Sequence, residues 1–243
     1  MKITFLGTSS MVPTSKRGQS GIFVDFGKEK ILFDCGENMQ RQLRIAKIAP
    51  PKITRIFISH WHGDHVFGLP GLLENLAKNS FEKKIKIYGP DNVKNKLEKM
   101  VDAFGINGLE ILFKGIRKEG IFEESDDLEF GAYFLEHKIK TLGYFVKEKD
   151  RVCLDKKKLK KLKLPNGPII GKLQRGKDVV CDGRKIKSRD VTFVKKGKKL
   201  GVVVDTSVCV GAVKIAKNSD VFICEATYVN EMEKIAKEYP TIK

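Results

Sequence analysis

Histidine is scarce in this chain: 4 residues in 243. Cysteine is nearly as rare. The five, Cys35, Cys153, Cys181, Cys209 and Cys224, are odd in number and never spaced as CxxC. That pattern excludes a disulfide framework and fits the reduced thiols of a cytoplasm. No apolar run approaches the length of a membrane span, so no membrane partner is expected. The first residues, MKITFLGTSS, enter strand-like sequence directly, without the long apolar segment of a secretion signal. Internal repeats and low-complexity segments are also lacking. What is present is ordinary for a soluble protein: 41% hydrophobic and 32% charged residues. The length allows one domain, or a two-part domain, with a proper core.

Three of the four histidines fall within six residues, in SHWHGDHVFG at Ser59 to Gly68. His60, His62, Asp64 and His65 follow ITRIFIS, whose Ile56 and Ile58 suit the end of a buried strand. They precede GLPGLLENLAK, whose apolar spacing predicts a helix. Neutral imidazoles and carboxylates are the donors that suit zinc, iron or manganese. His60 and His62 can converge on one ion while Asp64 and His65 turn toward a second. Two ions about 3.5–4 Å apart would polarise a phosphoryl oxygen and generate a nucleophile near neutral pH. Asp34, at the end of ILFD, either supports the ligands from behind or caps a turn.

Charge is the second signal. The net charge is +17, and residues 147–199 hold 20 Lys or Arg against 6 Asp or Glu. Such a block predicts a polyanion-binding surface whose affinity depends on salt.

Along the chain, strands are expected at Met1–Leu6, GIFVDFG, EKILFDCG, KKIKIYGP, LEILFK, DLEFGAYFLEHK, LGYFVKEK, KKLGVVVDTS and SDVFICEATYVNE. Helices are expected at NMQRQLRIAKI, ending at Pro50 and Pro51, and at DNVKNKLEKMVDAFG. From Lys147 to Arg189 periodicity is lost, apart from a short basic helix before a Pro-Asn-Gly-Pro turn.

The HxHxDH run resembles the metal motif of metallo-β-lactamase-fold hydrolases. ITFLGTSSMVPTSKRGQSGI at Ile3 to Ile22, LFDCGENMQRQL at Leu32 to Leu43 and LPNGPIIGKLQRG at Leu164 to Gly176 are similar to the ribonuclease Z branch, the tRNA 3′-processing endonucleases. The likeness spans essentially the whole chain. It implies an αββα sandwich: two mixed sheets face to face, helices outside, metals at the edge between them. An inserted arm at 147–189 would grip the tRNA elbow through Lys157, Lys158, Lys160, Lys161, Lys163, Gly167, Pro168, Lys172 and Arg175. His137, at a strand end shortly before Gly143-Tyr144, would join His60 and His62 on the first ion. Asp205 would bridge both ions, and Asp64 would act as ligand and general base.

The implied reaction is zinc-dependent, with manganese an alternative metal. It removes the 3′ trailer of precursor tRNA, usually in a homodimer. One departure stands out. The family's last ligand is a C-terminal histidine, and none follows His137 here. The expectation is therefore a C-terminally incomplete chain lacking the last strand and helix, its second ion holding only Asp64, His65 and Asp205. The alternatives are a non-catalytic tRNA-binding form, a subunit completed by a separate C-terminal fragment, and another phosphodiesterase of this fold.

Overall fold

The computed structural model describes residues 1–79, 84–162, 164, 167–181 and 183–226. The first half builds one mixed sheet. Its strands are β1 (Lys2–Gly7), β2 (Gly21–Asp25), β3 (Lys30–Phe33) and β4 (Arg55–Phe57), then β5 (Lys84–Pro90) and β6 (Glu110–Ile116), in that spatial order. The first three are antiparallel neighbours, and β3 to β6 run parallel. Helices α1 (Met39–Ile45), α2 (Gly63–Val66), α3 (Leu69–Asn79) and α4 (Lys94–Ala103) connect them.

The second sheet contains β7 (Gly120–Glu124), β8 (Leu128–Leu135) and β9 (Thr141–Glu148). Strands β10 (Arg151–Leu154), β11 (Val179–Cys181), β12 (Arg184–Ile186) and β13 (Thr192–Lys195) lie outside both main sheets. With them go α5 (Lys156–Lys161), α6 (Pro168–Gln174) and α7 (Ser188–Val191). β14 (Lys199–Val203), α8 (Val210–Ala216) and β15 (Val221–Cys224) complete the described elements, and the second sheet runs β15-β14-β9-β8-β7.

Alternation along the strands explains the layers. In β2 and β3, Ile22, Val24, Ile31 and Phe33 face one core, joined by Phe57, Tyr88, Phe130, Tyr144 and Val202 from both sheets. Phe23, Leu32, Ile56 and Ile58 face the opposite way, onto Leu43, Leu69, Leu72 and Leu97 of the helices. Strands covered on both faces carry near-continuous apolar sequence, as these do. A smaller core joins Phe145 and Val203 to Ala212 and Ile215 of α8. Helix, sheet, sheet, helix is the αββα sandwich expected.

The region without periodicity is ordered where described. β10 pairs antiparallel with β13, and β11 with β12. Between them Leu173, Val179, Ile186 and Val191 form a small core of their own. These strands run to three or four residues, too short for alternation to register in sequence. Gly167 begins α6 at φ 151, with Pro168 at its first turn, where a missing N–H costs nothing. β7 and α8 also escaped the sequence reading. Lys163, Pro165, Asn166 and residues 227–243, including the end of ATYVNE, lie outside the described residues.

A buried ion cluster ties the sheets together. Arg55 of β4, 5% exposed, donates to Glu29 (2.9 Å), Glu123 of β7 (2.9 Å) and the Tyr88 hydroxyl (2.8 Å). Its guanidinium also stacks 4.6 Å from the Phe130 ring. Removing one partner of a buried pair leaves the others desolvated and unmatched. Arg55→Ala should therefore lower unfolding free energy by about 3 kcal/mol, read as a lower urea midpoint; an unchanged midpoint would contradict the clamp.

Candidate metal centre

Four strands deliver the site. Asp34 follows β3, the histidine run follows β4, His137 follows β8 and Asp205 follows β14. Two of these ends belong to each sheet, so the site stands at the rim of the sandwich.

Cross-sheet hydrogen bonds fix this rim. Leu142 N–H donates to Ser59 C=O at 2.9 Å, and the Tyr144 hydroxyl donates to Ile58 C=O at 2.6 Å. On the far side, Ser207 N–H and the Thr206 hydroxyl donate to Glu136 C=O (3.0 and 3.1 Å), while Glu136 N–H donates to Thr206 Oγ1 (3.0 Å). The loops bearing His137 and Asp205 are thereby stitched to each other. Gly36 permits the close approach of the β3 loop: a β-carbon there would lie 2.4 Å from Asp64 C=O.

The donor atoms converge in two groups. His60, His62, His137 and Asp205 form one, and Asp64, His65 and Asp205 form the other, each within 4.8 Å. His60 Nε2 and His62 Nδ1 are 2.9 Å apart, and His137 Nε2 lies 3.3 Å from the same His62 Nδ1. Donors bonded to one ion at about 2.0–2.1 Å in tetrahedral array stand at about such separations. Asp205 Oδ2 reaches both groups: it is 3.6 Å from His60 Nε2, 3.9 Å from His137 Nε2 and 3.5 Å from His65 Nε2. His65 Nε2 is also 3.5 Å from Asp64 Oδ2. Chemistry and spacing both fit hard or borderline divalent ions.

Asp34 stands behind the candidate donors. Its carboxylate accepts from Ser59 N–H (2.7 Å), Ser59 Oγ (2.9 Å) and His65 Nδ1 (2.7 Å). This fixes the His65 ring with Nε2 toward Asp205 and Asp64. Ser59 Oγ lies 3.0 Å from His60 Nδ1 as well, a role the sequence reading missed. Asp34 (φ 55) and Asp205 (φ 40) both occupy the left-handed region, which few residues other than glycine adopt. Such backbone outliers held by buried hydrogen bonds mark sites shaped for function.

The charges follow this geometry. Burial pushes the His60 imidazole down to about 2, helped by neighbouring His65, so it stays neutral and able to bind a metal. His62 is lowered by burial and by His137. Burial works against a charged His65, but the Asp34 carboxylate and hydrogen bonds from the ring to Asp205 and Asp34 raise it well above the usual value. For Asp205, burial acts upward and is outweighed by the hydrogen bond and charge of His65, then by a hydrogen bond with Glu225. Its carboxyl is thus held below the usual range. Glu225 was not singled out in the sequence.

The predicted arm residues stand elsewhere. Lys157, Lys158, Lys160 and Lys161 lie on or within α5, Gly167, Pro168 and Lys172 at α6, and Arg175 at its end. Lys157, Lys158, Lys160, Lys161, Lys172 and Arg175 are exposed.

A four-layer sandwich carrying an HxHxDH loop at its rim places the chain among metallo-β-lactamase-fold hydrolases. Solved structures agree. The chain superposes on the metallo-β-lactamase fold protein YhfI of Bacillus subtilis with TM-score 0.67 at 13% identity, covering 99% of this chain and 77% of that one. Against the short form of human tRNase Z the TM-score is 0.74 at 25% identity, covering 100% of this chain and 85% of that one.

A family model described as anti-Pycsar protein Apyc1 matches residues 1–112. Two curated relatives match nearly the whole of this chain and about three quarters of their own length. Ribonuclease Z of Nanoarchaeum equitans is 34% identical over 98% of this chain and 75% of that protein. Ribonuclease Z of Microcystis aeruginosa is 38% identical over 98% and 76%. The chain belongs to the ribonuclease Z family.

Because Asp34 orients His65, Asp34→Asn should weaken metal binding at the Asp64–His65–Asp205 group by about 10–100-fold. Competition titration with a metal-sensitive dye measures this; unaltered affinity for the weaker ion would contradict the role.

Proposed function

We propose that this chain is a metal-dependent endoribonuclease that removes the 3′ trailer of precursor tRNA. The observation that carries the reading is the single Asp205 carboxylate placed within reach of two donor groups. That arrangement suits two-metal hydrolysis of a phosphodiester. Zinc is the ion proposed for both groups, with manganese as an alternative. His60, His62 and His137 would hold one ion, Asp64 and His65 the other, and Asp205 both. When bound, such ions polarise the phosphoryl oxygens and lower the pKa of water.

The chain's residues do the rest. Asp64 and Asp205 present carboxylate oxygens where an attacking water must sit, and Asp64 accepts its proton. The water oxygen bonds to phosphorus as the bond to the tRNA 3′ oxygen breaks, and that departing oxygen takes a proton from solvent. The tRNA leaves with a 3′-hydroxyl and the trailer with a 5′-phosphate. Asp34 and Ser59 hold the His65 and His60 rings in orientation throughout, so the donors need not reorganise.

The lobe at 147–189 is the proposed tRNA-binding arm. Lys157, Lys158, Lys160, Lys161, Lys172 and Arg175 have no ion pair among the described residues, which leaves these cations for phosphate. Contacts of that kind position RNA without reading its bases. Lys163 belongs to the proposed arm on sequence grounds. A homodimer, in which one arm serves the other subunit's centre, is part of the proposal, as is a cytoplasmic location. No helix among the described residues is long and apolar enough to cross a membrane.

Cleavage of a 3′-extended precursor tRNA, with zinc or manganese and a chelator control, tests the reading. A chelator-sensitive cut beside the acceptor stem is expected, and His62→Ala should abolish it. Retained activity in that variant would contradict the donor assignment. Deleting Lys156 to Gly176 should weaken precursor binding while sparing hydrolysis of a small phosphodiester; equal loss of both would make the segment structural. Raising salt from about 50 to about 200 mM should weaken tRNA binding roughly a thousandfold for six phosphate contacts, and a flat response would remove the case for the arm.

A further inference from the structure

We propose that an apolar pocket beside the donor loop takes an unpaired nucleobase of the RNA strand continuing past the cut. This rests on the endoribonuclease reading above and names a further subsite for it. The cavity, about 630 Å³, is lined chiefly by Trp61, Phe67 and Pro70 facing Lys96, Met100 and Phe104, with Glu37 also on its wall.

Its position ties it to the reaction. Trp61 lies between His60 and His62, so the backbone that aims the donors also sets this ring. Phe67 packs over the turn carrying Asp64: a β-carbon on Gly63 would stand 2.0 Å from Phe67 Cζ. The opposite wall is one face of α4, since Lys96, Met100 and Phe104 recur every four residues.

The chemistry selects the occupant. Phe67 and Phe104 are 59% and 63% exposed, an aromatic surface left open to water beside a polar site. Every nucleobase offers a π-face to such rings, and stacking tolerates any sequence. Lys96 and Lys99 have no ion pair among the described residues, whereas Lys94 of the same helix pairs with Glu98 at 3.6 Å. Lys96 on the pocket wall, with Lys99 three residues on along the same helix, offers cations to the phosphates of a strand whose base lies against the rings. The acceptor stem is paired, but a trailer beyond it is single-stranded, and its bases can turn outward to stack.

Trp61 is the chain's single tryptophan, so intrinsic fluorescence reports this pocket directly. A short unpaired oligoadenylate should quench the emission saturably. Phe104→Ala should raise the Kd about tenfold, and Phe104→Tyr, which keeps a ring, should stay near the parent value. Unchanged emission, or an unaltered Kd in Phe104→Ala, would overturn the proposal. So would a fall in sedimenting mass for Phe104→Ala with RNA affinity intact, which would assign the patch to a second copy of the chain. Chelator-sensitive cutting of precursor tRNA tests the underlying reading separately: cutting without quenching refutes the pocket alone.

Discussion

Two hydrogen bonds between the sheets, Leu142 N–H to Ser59 C=O and Tyr144 Oη to Ile58 C=O, set the geometry on which the site depends. The donors come from four strand ends, two in each sheet, and must meet within a few ångströms. A sandwich held by side-chain packing alone could slide by a fraction of a residue and separate them. The aromatic core beneath, with Phe57 stacked 4.9 Å from Tyr144 and edge-on 5.0 Å from Tyr88, restricts that sliding. The Tyr144 hydroxyl then converts packing into register. At the other end of the interlayer core, the Arg55 cluster closes the same sandwich, so both ends are held by polar contacts that specify one alignment.

The site gathers titratable groups whose environments push them in opposite directions. His60 is buried and kept neutral, the Asp34 carboxylate raises His65, and Asp205 Oδ2 lies within 3.6 Å of both rings' Nε2 atoms. Each group is oriented by a partner that is not itself a donor: Ser59 beside His60, Asp34 behind His65, and Glu136 and Thr206 clasping the loops of His137 and Asp205. Strained backbone at Asp34 and Asp205 is held in place by these bonds. A preorganised centre of this kind performs its chemistry without moving its own dipoles.

The histidine run was legible because three imidazoles and a carboxylate in six residues have no common structural reason to cluster. The sandwich was legible because β2 to β5 and β8, β9 and β14 are long enough, or apolar enough, to show their faces. His137 and Asp205 were not legible from the residues alone. A lone histidine and a strand-end aspartate become donors only through the topology that brings β8 and β14 alongside β4, so they were reached through resemblance. Asp34 stood between two readings, and its contacts with Ser59 and His65 place it behind the candidate donors rather than at a turn cap. The small lobe was illegible for a different reason. Its strands β10 to β13 are short and its core rests on a few residues such as Leu173 and Val191, while lysines dominate the pattern. Arg55 was silent too, because its partners Glu29 and Glu123 are distant in sequence.

The sharing of Asp205 between two ions is the central claim, and anomalous diffraction from zinc-soaked crystals tests it most directly. Two peaks per chain, about 3.5–4 Å apart and both in contact with the Asp205 carboxylate, are predicted. A single peak, or a pair of which one lies away from Asp205, would contradict the account.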